Sequence, residues 1–210
     1  MKKLKIAILL ILLVLIADQT LKIWIKTHML LGEEYNVIGN WFYLHFTENN
    51  GMAFGLEFAG KFGKIVLSLL RIIAVGGIGW CIYILCKKNE PLGLVISAAL
   101  IWAGAFGNII DSAFYGLIFS NSIPFCIDCT PATLFHHAGG YSTFLHGKVV
   151  DMLYFPIIEG HFPQWFPFWK GESFTFFRPV FNLADSSITT GVLMIIVFQK
   201  RYFKKQNSIN

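Results

Sequence analysis

The chain has 210 residues, 55% of them hydrophobic and only 14% charged, with a formal net charge of +5 and a mean hydropathy of +0.60. An ordinary soluble domain carries about 25% charged residues, so too little polar surface exists here to coat a water-soluble globule. The positive excess sits in short clusters bordering apolar runs, with no basic face interleaved with aromatics, which argues against a nucleic-acid partner and for a membrane protein.

One domain is expected over 1–210. Four stretches reach the roughly 20 apolar residues that a bilayer crossing needs. They cover 4–25, 65–86, 92–111 and 184–203. A spanning segment must satisfy its backbone hydrogen bonds internally, and four short segments cannot close a lipid-facing barrel. The expected class is therefore an all-α membrane protein with extracytoplasmic loops, and a small β element is expected in the first loop. The first span begins like a secretion signal, with Lys2, Lys3 and Lys5 ahead of an apolar run. No small-x-small cleavage site follows, since Ala17 leads into Asp18 and Gln19, so a retained helix is expected.

Orientation comes from the cations. Nine of the seventeen Lys and Arg residues (Lys2, Lys3, Lys5, Lys87, Lys88, Lys200, Arg201, Lys204 and Lys205) fall in three very short segments. Six (Lys26, Lys61, Lys64, Lys148, Lys170 and Arg178) are spread over two long loops. Both termini are then cytoplasmic, and the loops of about 26–64 and 112–183 lie outside. The second loop holds 18 of the 34 aromatic residues, as expected of a segment lying on the membrane surface.

The remaining ionisable groups share one layer. At 1.5 Å per residue, Asp18 is about 18 Å beyond Ile6, in the outer half of the first span. Arg71 is near the outer end of the second span, Asn108 and Asp111 at the outer end of the third, and Asp185 at the outer start of the fourth. Acids within spans mark functional sites or ion pairs. Lys22 and Arg71 have side chains long enough to snorkel, and Asp18 and Lys22, spaced i,i+4, can pair on one helix face. Asp185, in Asn182-Leu183-Ala184-Asp185, can also cap the first turn of the fourth span.

Asp151 sits in the apolar run Val149-Val150-Asp151-Met152-Leu153. Two carboxyls in a dry site cannot both ionise, so one keeps its proton while the other activates water, as in aspartic proteases. Nothing in spacing alone brings Asp151 and Asp185 together.

Four blocks, in order, resemble those of signal peptidase II. They are Asp18-Gln19-Thr20-Leu21-Lys22; Asn49-Asn50-Gly51-Met52-Ala53-Phe54-Gly55; Gly104-Ala105-Phe106-Gly107-Asn108-Ile109-Ile110-Asp111; and the pair Gly147-Lys148-Val149-Val150-Asp151 with Phe181-Asn182-Leu183-Ala184-Asp185. The resemblance implies an aspartic endopeptidase of the bacterial inner membrane, active at the outer face, with Asp151 and Asp185 as the catalytic dyad. It implies supporting roles for Asp18, Lys22, Asn49, Asn108, Asp111 and Asn182. It further implies diacylglyceryl-modified prolipoproteins as substrates, cut on the amino side of the lipid-modified cysteine, with membrane lipids as surroundings and globomycin as an inhibitor. No metal or organic cofactor is implied.

The chain departs from the family pattern in three ways. Ser112 stands where an arginine usually follows the third-block aspartate, leaving Arg71 or Lys148 to substitute for it. Met52 replaces a small alanine. The second outer loop carries extra residues, roughly 119–144 and 159–177, read as interfacial padding rather than a lid or partner surface. Cys126 and Cys129 form a C-x-x-C expected to be a disulfide outside the cytoplasm; thiols, or a metal site with His136 and His137, are the alternatives. Two other readings remain at this point: a small transporter or proton-conducting protein, and a non-catalytic lipoprotein assembly factor. The lack of an internal repeat and the outer position of the acids speak against transport.

Overall fold

The computed structural model describes residues 2–50, 60–137, 139–156, 158–161, 165, 171, 173–176 and 179–203. Residues 51–55 of the second motif block, including Met52, lie outside this set, as do Lys170, Arg178, Lys204, Lys205 and much of 159–177.

Among the described residues, four helices are long and apolar enough to cross a membrane. They are α1 (Lys2–His28), α2 (Gly60–Lys87), α3 (Leu92–Ile110) and α5 (Leu183–Tyr202). Helix α3 runs on through a π-helical stretch, Asp111–Tyr115, into the short α4 (Gly116–Ile118). The α2–α3 turn is a Schellman-type stop: Asn89 takes a left-handed φ of 57°, Glu90 N donates to Leu85 O at 3.0 Å and Asn89 N to Cys86 O at 3.2 Å. Lys3 Nζ reaches the carbonyls of Asn89 and Glu90 at 2.9 and 2.7 Å, which brings the start of α1 to that turn.

Helix packing depends on small residues, since lipid offers no hydrophobic drive between spans. A Cβ on Gly104 would lie 2.1 Å from the carbonyl oxygen of Ala184, so α3 and α5 meet backbone to backbone there. One turn on, a Cβ on Gly107 would sit 2.9 Å from Asp18 Oδ2. The outward faces are apolar, with Leu9, Ile16, Ile73, Trp80 and Val197 exposed, while Asp18, Lys22, Lys26, Asn108 and Asp111 are buried. Apolar outside and ionisable inside is the arrangement of a membrane-embedded site.

The all-α expectation describes only the spans. Strands β1 (Glu34–Ile38) and β2 (Phe42–Asn49) form a hairpin where a small β element was expected in the first loop, but β3 (Val149–Tyr154) and β6 (Val180–Phe181) extend it into a sheet of order β1-β2-β3-β6, antiparallel throughout. A separate ribbon pairs β4 (Ile158–His161) with β5 (Ser173–Phe176). In the main sheet Thr47 faces Asp151, Asn49 faces Val149, and Leu153 faces Phe181.

Part of the extra stretch at 119–144 reaches the core, while Phe125, Ile127, Phe135 and Phe144 are exposed. Phe119 pairs with Leu134 and Leu31 with Pro124, and Phe119 is fully buried with Ile25, Met29, Phe46, Tyr115, Val150 and Met152. This segment joins the exits of α1 and α4 to the underside of the sheet. Cys126 and Cys129 are joined as a disulfide within it.

Candidate active site

Three layers of side chains descend from the sheet into the helices. The lowest is centred on Lys22, whose Nζ lies 2.9 Å from Asp18 Oδ2 and 2.7 Å from Asp111 Oδ2, all three groups sealed from solvent. Gln19 Nε2 donates to Asp111 Oδ1 at 2.9 Å and to Asp18 Oδ2 at 3.1 Å, and Tyr115 Oη donates to Gln19 Oε1 at 3.1 Å. These carboxylates also hold backbone. Asp18 Oδ1 accepts from Ala184 N at 2.9 Å, fixing the start of α5, and Asp111 Oδ2 accepts from Val150 N at 3.4 Å, fixing β3. A buried cation with two anions is tolerable only because further hydrogen bonds satisfy the remaining oxygens.

The middle layer is amide. Asn108 Oδ1 accepts from Lys22 Nζ at 2.9 Å and from Asn182 Nδ2 at 3.2 Å, while Asn108 Nδ2 donates to Asp185 Oδ1 at 2.8 Å. Asn182 is the N-cap of α5: its side chain accepts from Asp185 N at 2.9 Å, and Asp185 Oδ2 accepts from Asn182 N at 3.4 Å. Asp185 thus completes a capping box as well as belonging to the site; the two readings of this residue are compatible.

The upper layer is Asp151. Its Oδ1 accepts from Asn182 Nδ2 at 2.7 Å, and its carboxyl is also hydrogen-bonded by Asn49. Burial and then the neighbouring charge of Asp185 push the Asp151 carboxyl up to about 7, against the opposing pull of Asn182, Lys22 and Asn49. Asp151 and Asp185 come from elements 34 positions apart and are brought to one place by Asn182, which contacts both. An apolar groove of about 320 Å³ lies between α1, α3 and α5, lined by Leu13, Ala17, Leu100, Leu183, Ser186 and Thr190, on the face of α5 away from Asp185.

A family model described as signal peptidase (SPase) II matches residues 10–200. The chain belongs to the signal peptidase II family. A lipoprotein signal peptidase of Porphyromonas gingivalis is 50% identical over 201 residues, which cover 94% of this chain and 84% of that protein. A lipoprotein signal peptidase of Amoebophilus asiaticus is 39% identical over 189 residues, covering 89% of this chain and 74% of that one. Among solved structures, a bacterial membrane enzyme determined by the in meso method at 2.3 Å resolution aligns over 98% of this chain and 94% of its own, with a TM-score of 0.60 and 24% identity; that likeness is one of fold. The chain is thus a multi-pass membrane peptidase, and nothing in these similarities favours a transporter or an assembly factor.

Every supporting residue named from the signal peptidase II motifs (Asp18, Lys22, Asn49, Asn108, Asp111 and Asn182) lies within this one connected network. Ser112 is buried, and its Oγ donates to Asn108 O at 3.0 Å. A second cluster was not apparent from the motifs. Lys26, counted with the first loop, is within α1 and fully buried. Its Nζ pairs with Glu48 Oε1, donates to Ser122 Oγ at 2.7 Å, and faces the rings of Phe46, Phe119 and Tyr141. Glu48 Oε2 also binds Lys148 Nζ at 2.9 Å. Burial alone would raise the Glu48 carboxyl, but Lys26, Ser122 and Lys148 together hold it below the ordinary glutamate range. The available signal was the i+4 stripe Asp18, Lys22, Lys26, three ionisable residues on one face of an apolar helix.

Proposed function

We propose that this peptidase is an aspartic endopeptidase in which Asp151 and Asp185 share one proton and hydrolyse the peptide bond on the amino side of a diacylglyceryl-modified cysteine in prolipoproteins. The observation that carries the reading is Asn182, whose side-chain amide donates to the Asp151 carboxyl and whose backbone N donates to the Asp185 carboxyl, with Asp151 raised to about 7 by burial and by Asp185. Their titration belongs to the pair. At neutral pH the protonated member donates to the scissile carbonyl oxygen. The ionised member takes a proton from water as the water oxygen attacks the carbonyl carbon. Collapse of the tetrahedral intermediate breaks the C–N bond as one member of the dyad gives its proton to the departing nitrogen and the other takes a proton back from a hydroxyl of the intermediate, which restores the starting state.

The other side chains position this pair. Asn108 and Asn182 orient the carboxyls, and the Asp18–Lys22–Asp111 layer anchors the backbone of both β3 and α5. Lys3 at the Asn89–Glu90 turn gathers basic residues at the end remote from the site, which supports cytoplasmic termini and a site at the outer face of the bacterial inner membrane.

The test is cleavage of a diacylglyceryl-modified prolipoprotein by purified protein in detergent, with and without globomycin. Asp151→Asn and Asp185→Asn are each expected to abolish cutting while leaving the protein monodisperse. Normal turnover by either variant removes that residue from the dyad.

A further inference from the structure

Arg71 lies on the face of α2 that turns toward the other helices. Lys64, Ser68 and Val75 share its stripe at spacings of three and four, and all three are buried. The stripe is pinned on both sides of Arg71. Toward the outer end, Lys64 Nζ donates to His146 O at 2.9 Å, in the loop that leads into β3. Toward the inner end, Val75 O accepts from Trp102 Nε1 of α3 at 2.9 Å.

The depth also matches. Counting 1.5 Å per residue from the inner ends of α2 at Lys87 and α5 at Tyr202, Arg71 and Asp185 lie about 24 and 26 Å up. Asn108, counted from Leu92, lies at about 24 Å. The guanidinium interacts electrostatically with Asp185, Asp111 and Asp151. Asp111 already has Lys22 at 2.7 Å. Lys148, the other candidate to replace an arginine at Ser112, is engaged by Glu48 at 2.9 Å. Arg71 therefore adds its positive charge on the α2 side of the carboxyl pair.

We propose that Arg71 is a positioning residue acting through the Asp151–Asp185 pair, its field stabilising the singly ionised form that is competent for catalysis. This rests on the dyad reading given above. The charged groups around the pair are Asp18 and Lys22 from α1, Asp111 from the π-helical stretch after α3, Asp151 from β3, Asp185 from α5, and Arg71 with Lys64 from α2. A nearby cation favours every deprotonation of the pair. Removing it raises both macroscopic ionisations, so the whole bell of kcat/KM against pH moves to higher pH. A unit charge several ångströms away in partly dry protein is worth roughly one pH unit.

The experiment is the pH profile of prolipoprotein cleavage for the wild type, Arg71→Gln and Arg71→Lys, run beside Asp151→Asn and Asp185→Asn. Arg71→Gln is expected to shift both limbs upward by roughly one unit, and Arg71→Lys to keep them near the wild-type positions. A profile for Arg71→Gln that loses height with neither limb displaced overturns the proposal, because a purely structural defect does exactly that to the rate and not to the ionisations. A displacement in Arg71→Lys as large as in the glutamine variant overturns it too, and this variant preserves the charge should the glutamine protein fail to fold. If the Asp→Asn variants cut normally, the dyad reading fails; if they are inactive and the Arg71→Gln limbs stay fixed, only this inference fails.

Discussion

The side-chain amide of Asn182 stands 2.7 Å from Asp151 Oδ1, and the oxygen of that same amide caps α5 by accepting from Asp185 N at 2.9 Å. One residue therefore sets both the start of a spanning helix and the separation of two acids that meet from different elements. Asn182→Ala removes both functions. Loss of the cap should lower stability by about 1 kcal/mol. Loss of a hydrogen bond to a charged group, worth about 1.5–3 kcal/mol, should lower kcat/KM by roughly 10- to 100-fold. Asn182→Ser retains a cap but does not reach Asp151, so thermal melts should look near normal while cleavage stays impaired. Full activity in the serine variant would mean that the amide does not hold the acid.

Asp151 carries a stability consequence that its place in the site conceals. Its folded-state carboxyl is raised to about 7 by burial and by Asp185, whereas an unfolded aspartate titrates near ~3.9. A raised carboxyl means that folding takes up a proton. The stabilising share is whole below about pH 4 and is lost as pH rises to about 7, after which it changes no further. Asp151→Asn has no proton to lose. The variant should therefore melt at a higher temperature than the wild type at pH 8, with a smaller advantage at pH 5. An equal advantage at both values would show that the acid is not perturbed in the folded protein.

The spans, their orientation signals and the shared depth of Asp18, Asn108, Asp111 and Asp185 were legible because a bilayer imposes length, periodicity and charge rules that act within each segment. The sheet was only half legible. The β1–β2 hairpin is local, but β2 meets β3 across about 100 residues, and no short-range signal records that Thr47 will face Asp151. The run Val149–Tyr154 is also apolar on both faces, since Val149, Val150 and Met152 are all buried, so it lacks the alternation that would have marked a strand. Phe119, at the start of the 119–144 stretch, was hidden for a related reason. It looks no different in sequence from the exposed Phe125, Phe135 and Phe144, and only its contact with Ile25, Phe46 and Met152 places it in the core. Glu48 lay in plain view beside Asn49, but its partners Lys26, Ser122 and Lys148 come from three separate segments.

That last cluster makes a prediction about the difference between breaking an ion pair and replacing it. Lys26 and Glu48 expose 0% and 2% of their side chains. Glu48→Leu strands the Lys26 ammonium among Phe46, Phe119 and Tyr141, and an uncompensated buried charge costs about 3–5 kcal/mol. The ring faces and Ser122 Oγ soften the loss, since each cation–π contact contributes about 0.5–2 kcal/mol. Adding Lys26→Met removes the stranded charge and fills its volume. Replacing a buried pair with packed apolar side chains is often neutral or stabilising, so the double variant should recover most of the melting temperature lost by Glu48→Leu. Lys148, whose side chain is 32% exposed, can turn to water. The pH dependence gives a second handle. Glu48 is held below the ordinary glutamate range, so its contribution is complete above the unfolded value of about 4.3 and disappears as the pH falls through the lower folded value. In the double variant that acid-induced loss should be smaller than in the wild type. A double variant that melts no higher than Glu48→Leu alone would mean that the carboxylate holds α1, β2 and residues 119–144 together through Ser122 and Lys148, independently of Lys26.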